Sequence, residues 1–137
     1  MDIQKITKPA RKLLKLKYCG AVIVAAGSAS RMGGIDKVMA SIGGEPMICR
    51  TTRTFQNCDA IREIVIVTRQ DLIGQISCLC RDFDKVKAVV VGGKTRDESV
   101  GLGLSALSSK VKLAAIQDGA RPLVTWEVID RAVRAAV

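Results

Sequence analysis

Residues 18–27 read YCGAVIVAAG, and this apolar run followed by small residues decides the fold. Its Val, Ile and Ala side chains do not alternate with polar ones, which is typical of a strand buried on both faces of a parallel sheet. The purely apolar part, residues 21–26, is far shorter than the roughly 18 residues that would cross a bilayer. We therefore predict a buried strand over Tyr18–Ala25, and no membrane contact.

Three further runs share this character, being short, rich in Val, Ile or Ala and followed by turn or polar residues: Glu63–Thr68, Lys87–Val91 and Lys112–Gln117. Segments with apolar residues at helical spacing lie between or after these runs, over 47–55, 72–83, 100–107 and 129–137. Pro46 and Thr125 mark the starts of the first and last helices. Gly101 and Gly103 would allow close approach of the third helix. The alternation predicts an α/β fold, a Rossmann-like three-layer sandwich with a mainly parallel sheet.

Composition excludes several kinds of chemistry. The chain has 137 residues, 48% hydrophobic and 26% charged, which suits one globular domain. It contains no histidine, so catalytic triads, Cys-His dyads and histidine-based zinc sites are excluded. Its five cysteines are odd in number and form no CxxC pair. We interpret them as reduced, mostly buried thiols rather than as a disulfide framework or zinc site.

The positive charge is concentrated at the N-terminus. The net charge is +9, and residues 1–17 hold six Lys and Arg residues against one acidic residue, Asp2. This segment has no aromatic side chain that could stack on a base, so we expect a solvated extension over 1–17, a folded part over 18–137 and no nucleic-acid partner. The basic start and the apolar run also resemble a secretory leader. Cleavage there would destroy the loop after the first strand, so we predict a cytoplasmic protein.

The loop after the first strand is a candidate phosphate site, because ligands of parallel sheets bind at the carboxyl ends of the strands. Residues 25–37 read AAGSASRMGGIDK. The small residues would let backbone N–H groups close around phosphate oxygens, with Arg31 and Lys37 as nearby cations. The loop is not a dinucleotide fingerprint, since Ala29 and Met32 stand where that motif needs glycine. An ordinary tight turn with solvated charges is disfavoured by this combination of residues.

The loop after the third strand is a second candidate. Residues 92–95 read GGKT, like the end of a Walker A loop, but Ala88 stands where the first glycine of that motif belongs. We therefore reject a P-loop. The two glycines instead predict a turn into a helix that begins near Thr95 and carries Arg96 and Ser99 on its first turns, which suits a nucleotide.

The loop after the fourth strand places an acidic residue at a strand end. Residues 117–122 read QDGARP. Asp118 could hold Mg²⁺ bound to phosphates, because Mg²⁺ favours one or two carboxylates plus substrate oxygens. It could equally form a turn pair with Arg121 that only orders the loop. The residues alone leave these two interpretations open.

Taken together, the three loops resemble the 2-C-methyl-D-erythritol 4-phosphate cytidylyltransferases of isoprenoid biosynthesis, which are nucleotidyltransferases with a Rossmann-like sheet. The matching motifs are AAG with Arg31-Met32 and Lys37, then Gly92-Gly93 with Arg96, Ser99-Val100 and Gly103-Leu104, then DGARP over 118–122. They agree in order, spacing and placement after strands, from about Cys19 to the end of the chain. The resemblance implies an enzyme that joins CTP to 2-C-methyl-D-erythritol 4-phosphate and releases pyrophosphate, with Mg²⁺ as the cofactor and a homodimer as the family's assembly.

The resemblance also implies roles for individual residues. Arg31 and Lys37 would be catalytic and stabilise charge on the α-phosphate. Asp118 and Arg121 would lie near the incoming polyol phosphate, with Asp118 also near the metal. The implied nucleotide-contacting residues are Ala25, Ala26, Gly27, Ala29, Gly93, Arg96, Ser99 and Gly119. Residues 18–137 would then be the nucleotide-binding part of a cytidylyltransferase domain.

Two departures from the family pattern matter. Many members have His where this chain has Gln117, which can still make a hydrogen bond. Family members are also considerably longer, so we expect a truncated sheet with one uncovered edge and poor solubility or self-association. Alternatives are a cytidylyltransferase for ribitol phosphate, or a shortened nucleotide-binding paralogue without turnover.

Overall fold

The structure of the chain is a computed structural model that describes residues 1–5, 18–27, 31–32, 35–121 and 123–136. The strands within these ranges are β1 Asp2–Lys5, β2 Cys19–Ala25, β3 Arg31–Met32, β4 Ile35–Asp36, β5 Ser41–Ile42, β6 Glu45–Pro46, β7 Ile61–Thr68, β8 Val86–Val91 and β9 Leu113–Asp118. The α-helices are α1 Met47–Gln56, α2 Ile73–Leu79, α3 Arg96–Ala106 and α4 Trp126–Ala135. Short 3₁₀ helices span Lys37–Met39 and Gln70–Leu72.

A five-stranded sheet in the order β1-β9-β2-β7-β8 forms the centre of the molecule. β2 runs parallel to both of its neighbours, with Ala21 opposite Ile64 of β7 and Ala115 of β9. β8 runs parallel to β7. The four predicted strands are confirmed, with bounds that shift by one or two residues, and the mainly parallel α/β sheet is confirmed with them.

Helices cover both faces of the sheet and so make the predicted three layers. Val22 and Val24 of β2 face α3, where they share a buried cluster with Val100. The alternate β2 residues face the other side, in a cluster with Phe55 of α1 and Ile129 of α4. This two-sided burial explains why β2 is apolar at successive positions rather than at every second one.

Strand β1 contradicts the expectation of a solvated N-terminal extension. Asp2–Lys5 pair antiparallel with β9, from Asp2 opposite Ile116 to Lys5 opposite Leu113. The prediction of a solvated extension over 1–17 is therefore wrong for these residues, and Ile3 packs against the core. The outer edge of β9, which could have been the uncovered edge, is occupied by β1. Residues 6–17 lie outside the described residues.

Two helices differ from their predicted form. The predicted stripe over 72–83 becomes the 3₁₀ turn at Gln70–Leu72 and the short helix α2, which buries only Ile76 completely. In α3, a Cβ atom on Gly103 would lie 2.4 Å from Val22 Cγ1, whereas a Cβ atom on Gly101 would meet nothing within 4 Å. Close approach is thus confirmed for Gly103 and wrong for Gly101. In the part of the chain that the structure describes, no helix is long and apolar enough to span a membrane.

Candidate active site

The carboxyl ends of the parallel strands β2, β7, β8 and β9 meet at one edge of the sheet and surround a cleft of about 730 Å³. This volume lies within the usual range of small-molecule sites, and the position is where open α/β sheets bind ligands. Eight residues predicted from the sequence line the cleft: Ala25, Ala26, Gly27, Lys37, Gly93, Arg96, Ser99 and Asp118. The three loops singled out in the sequence therefore converge on one cavity.

The other four predicted residues are not among the described residues that line the cleft. Gly119 is buried in the turn after β9, and Arg121 is exposed at the end of the same turn. Neither is among the described residues that line the cleft. Ala29 lies outside the described residues. The backbone of Arg31 forms β3, opposite Asp36 of β4, but its side chain lies outside what the structure describes.

The turn after β8 needs glycine because the backbone approaches its neighbours closely. A Cβ atom on Gly92 would lie 2.5 Å from Ala26 Cβ and 2.7 Å from Ser99 Oγ. The N–H of Gly92 donates to the carbonyl oxygen of Thr68 at 2.8 Å, and the N–H of Gly93 donates to Ser99 Oγ at 3.1 Å. Ser99 therefore shapes the predicted nucleotide loop as well as lining the cleft.

Helix α3 begins at the rim of the cleft with a side-chain cap. The Thr95 hydroxyl accepts a hydrogen bond from the N–H of Glu98 at 3.1 Å, and the Glu98 carboxylate accepts one from the N–H of Lys94 at 2.8 Å. These contacts satisfy backbone donors at the start of the helix and hold it in register. Arg96 projects from the first turn, where it is half exposed and lies 3.7 Å from the Asp2 carboxylate of β1.

The turn after β9 holds Asp118 with one carboxylate oxygen engaged in the turn. Oδ1 accepts from the N–H of Ala120 at 2.9 Å, and Oδ2 lies 3.6 Å from Nε of Arg121. The turn pair considered in the sequence is therefore present. Asp118 is also partly exposed and lines the cleft. A lone carboxylate of this kind fits Mg²⁺ only when phosphate oxygens supply further ligands, since no cluster of three candidate metal-binding side chains exists among the described residues.

Residues of helix α1 hold the Asp118 turn in place. The buried Thr51 hydroxyl lies 3.2 Å from the carbonyl oxygens of both Met47 and Gly119. A Cβ atom on Gly119 would lie 2.9 Å from Ile48 Cδ1 and 3.2 Å from Ala25 Cβ, so a larger residue would require these neighbours to shift. Gln117 is buried beside it and donates through Nε2 to the carbonyl oxygens of Asp118 and Arg121, at 3.3 and 3.4 Å. This confirms that a glutamine can hydrogen-bond at this position.

Sequence reasoning missed the residue that follows β7. Arg69 lines the cleft, and its guanidinium makes two hydrogen bonds to the Asp36 carboxylate, at 2.5 and 2.7 Å. Asp36 directly precedes Lys37, which begins a 3₁₀ turn. The sequence offers only one indication that Arg69 lines the site, which is its position directly after a predicted strand.

The cleft is strongly cationic. The charged residues among its described lining are Lys37, Arg69, Lys94, Arg96 and Asp118. Arg69 is engaged by Asp36 and Asp71, so the other three lining cations favour an anionic ligand, and the low-dielectric walls of a cleft strengthen that attraction. The arrangement suits the phosphates of a nucleotide, and the small residues at 25–27 leave room for phosphate oxygens to approach the backbone.

Comparison with known proteins agrees with this geometry. A family model for 2-C-methyl-D-erythritol 4-phosphate cytidylyltransferase matches residues 19–137. The enzyme of that name from Dehalococcoides mccartyi is 40% identical over 119 residues, which are 85% of this chain and 52% of the relative. The one from Symbiobacterium thermophilum is 38% identical over 116 residues, 84% of this chain and 48% of the relative.

A solved structure shares the fold as well as the sequence. The crystal structure of 4-diphosphocytidyl-2C-methyl-D-erythritol synthase from Anaerococcus prevotii superposes with a TM-score of 0.79 at 30% identity, covering 93% of this chain and 54% of that one. The chain thus spans about half the length of the relatives it matches. Because the family model extends from the start of β2 to the last residue and its motifs meet in one cleft, the chain belongs to the 2-C-methyl-D-erythritol 4-phosphate cytidylyltransferase family.

Proposed function

We propose that this chain binds CTP with Mg²⁺ in the cleft, as the nucleotide-binding part of a cytidylyltransferase that forms a diphosphocytidyl product from 2-C-methyl-D-erythritol 4-phosphate. The observation that carries the proposal is the convergence of three family motifs on one cationic cleft at the ends of parallel strands. The cleft is large enough for a nucleotide.

The reaction needs positioning and charge stabilisation rather than a covalent enzyme intermediate. A phosphate oxygen of the acceptor attacks the α-phosphorus of CTP, a new P–O bond forms, and the bond to the β-phosphate breaks to release pyrophosphate. Lys37 and Arg31 are proposed to stabilise the negative charge that develops on the α-phosphate oxygens. Asp118 would hold Mg²⁺, which would supply further neutralisation of the phosphate charge. None of these steps requires a histidine, which the chain lacks.

The nucleoside end of CTP is proposed to lie against the turn after β8. Gly93 and Ser99 form the wall there, with Arg96 at the rim. The 25–27 segment, at the end of β2, is proposed to line the triphosphate path, and Arg121 is proposed to meet the acceptor phosphate. Orientation of both substrates in this way converts a bimolecular encounter into an aligned displacement.

Turnover tests the proposal directly. Pyrophosphate release is measured with the purified chain, CTP, Mg²⁺ and 2-C-methyl-D-erythritol 4-phosphate, and ribitol phosphate serves as the competing acceptor. We expect release with the first acceptor, and a fall of about 100-fold or more in Lys37→Ala, because it loses a cation that faces the developing charge. Lys110→Ala, at an exposed turn away from the cleft, should match the wild type. Faster release with ribitol phosphate would overturn the proposed acceptor.

Nucleotide binding without turnover is a second candidate function, because most of the residues proposed for CTP line the cleft whereas Arg121, proposed for the acceptor, is not among the described residues that line it. Calorimetric titration with CTP, ATP, GTP and UTP separates the two functions. Selective CTP binding without pyrophosphate release would favour nucleotide binding without turnover. A folded chain that binds no nucleotide would contradict both functions. Cytoplasmic location and homodimer formation belong to the proposal too.

A further inference from the structure

Arg69 connects the end of β7 to the loop that carries Lys37. Its guanidinium nitrogens Nη1 and Nη2 lie 2.5 and 2.7 Å from Oδ1 and Oδ2 of Asp36, a two-point contact with a fixed geometry. Both side chains are largely shielded from water, at 16% and 18% exposure. A shielded bidentate pair of this kind holds its geometry better than an exposed one does.

A second carboxylate holds Arg69 from the other side. Asp71 accepts hydrogen bonds from Nε and Nη2, both at 3.1 Å, and is itself 61% exposed. The contacts with Asp36 and Asp71 raise the pKa of Arg69 above its usual value. The guanidinium is therefore committed to these two carboxylates, although it lines the cleft.

The position of Asp36 makes this contact relevant to Lys37. Asp36 ends β4, which pairs with β3 so that Asp36 lies opposite Arg31. Lys37 follows it and begins the 3₁₀ turn, in which the N–H of Ala40 donates to the carbonyl oxygen of Lys37 at 3.1 Å. The Asp36 carboxylate, through its contact with Arg69, thus connects the end of β7 to the backbone segments that carry Arg31 and Lys37, the two proposed catalytic cations.

We propose that Arg69 is a positioning residue, which anchors the Lys37 turn through Asp36. The proposal rests on the function proposed above for Lys37. Without Arg69, Asp36 would lose its two-point contact with the end of β7, and the backbone turn that begins at Lys37 would be held less firmly.

Calorimetric titration with Mg²⁺ and CTP tests the effect of this anchor on nucleotide binding. Arg69→Met should weaken CTP binding about tenfold, and Arg69→Lys, which keeps the charge but loses the two-point contact, should weaken it less. Asp36→Asn should weaken binding in the wild-type background but change it little in the Arg69→Met background, because both substitutions remove the same contact. Equal weakening in both backgrounds would overturn this part. Asp71→Asn, the matched control on the same guanidinium, should stay within about twofold.

Hydrogen exchange at the Ala40 amide tests the anchoring part without any nucleotide. Arg69→Met should speed this exchange about tenfold or more, because the 3₁₀ turn loses its anchor, while the Asn57 amide, which donates to the Arg53 carbonyl oxygen at the end of α1, stays unchanged. An unchanged Ala40 rate would overturn the proposal whatever CTP does. Faster exchange in a chain whose wild type binds no CTP would support the anchor and contradict the proposed function instead.

Discussion

At the scale of single residues, the site depends on contacts that no motif reveals. Asp118 was identifiable because it follows a strand, but the side chain that fixes its turn is Thr51, on a helix 68 positions away. The sequence shows Thr51 only as one more residue on the buried stripe of α1. A hydroxyl that reaches another loop depends on tertiary packing, which local patterns do not encode.

Thr51→Val tests this contact. Valine keeps the shape of the side chain but removes the donor, leaving the carbonyl oxygen of Gly119 without that partner, so we expect the free energy of unfolding to fall by about 1–2 kcal/mol. Urea unfolding followed by circular dichroism measures the change. Thr54→Val is the matched control, because the Thr54 hydroxyl bonds only the carbonyl oxygen of Arg50 within the same helix. Equal losses in the two variants would show that the Gly119 contact contributes nothing.

At the scale of elements, sequence periodicity located the four core strands and three of the helices well. It overestimated the length of α2, which spans Ile73–Leu79 rather than 72–83, although Leu72, Ile76 and Cys80 of the predicted stripe are buried. It also assigned both glycines of α3 to close packing, although they lie on different sides of the helix. The spacing of apolar side chains indicates which side of a helix is buried. A glycine has no side chain, so its own residue type does not indicate whether it lies on that side.

Alanine substitution separates the two glycines of α3. Gly103→Ala should lower the free energy of unfolding by about 1–3 kcal/mol, because the new methyl group overlaps Val22 and Val67 of the sheet. Gly101→Ala meets open space and should raise it by about 0.5–1 kcal/mol through helix propensity. Urea midpoints of the two variants give the comparison. A neutral Gly103→Ala variant would mean that α3 lies farther from the sheet than described.

At the scale of the whole molecule, composition and alternation were enough to predict the parallel three-layer fold, and the strand ends were enough to locate the cleft. The sequence did not predict β1, because four residues, DIQK, carry no strand pattern of their own. Their place on the edge of β9 depends on a partner more than 100 positions away. Arg69 was missed for a similar reason, since its role depends on Asp36 across the cleft.

Buried thiols give the whole molecule a pH-dependent stability. Burial raises the pKa of Cys80 to about 12 and also raises the pKa values of Cys49 and Cys58. Above the ordinary thiol pKa near 8.5, the unfolded chain releases protons that the folded chain retains, so stability is complete below that pH and falls as pH rises toward 12. Each thiol contributes at most about 1.4 kcal/mol per pH unit.

Urea unfolding between pH 7 and 10, with a reductant present, measures this fall. Cys80→Ala should unfold with a shallower dependence on pH than the wild type, even though its stability at pH 7 is lower. Cys78→Ala, at an exposed position, is the control and should keep the wild-type slope. A Cys80→Ala slope equal to that of the wild type would contradict the assignment.

The central claim is that CTP occupies the cleft at the strand ends, and a nuclear magnetic resonance titration tests it most directly. Amide signals of the ¹⁵N-labelled chain are followed while Mg²⁺ and CTP are added. We predict shifts at Gly27, Lys37, Gly93 and Ser99, which line the cleft, and no shift of the Trp126 indole in the separate groove beside α4. Shifts confined to the Trp126 groove, or none at the cleft amides at saturating CTP, would contradict the claim.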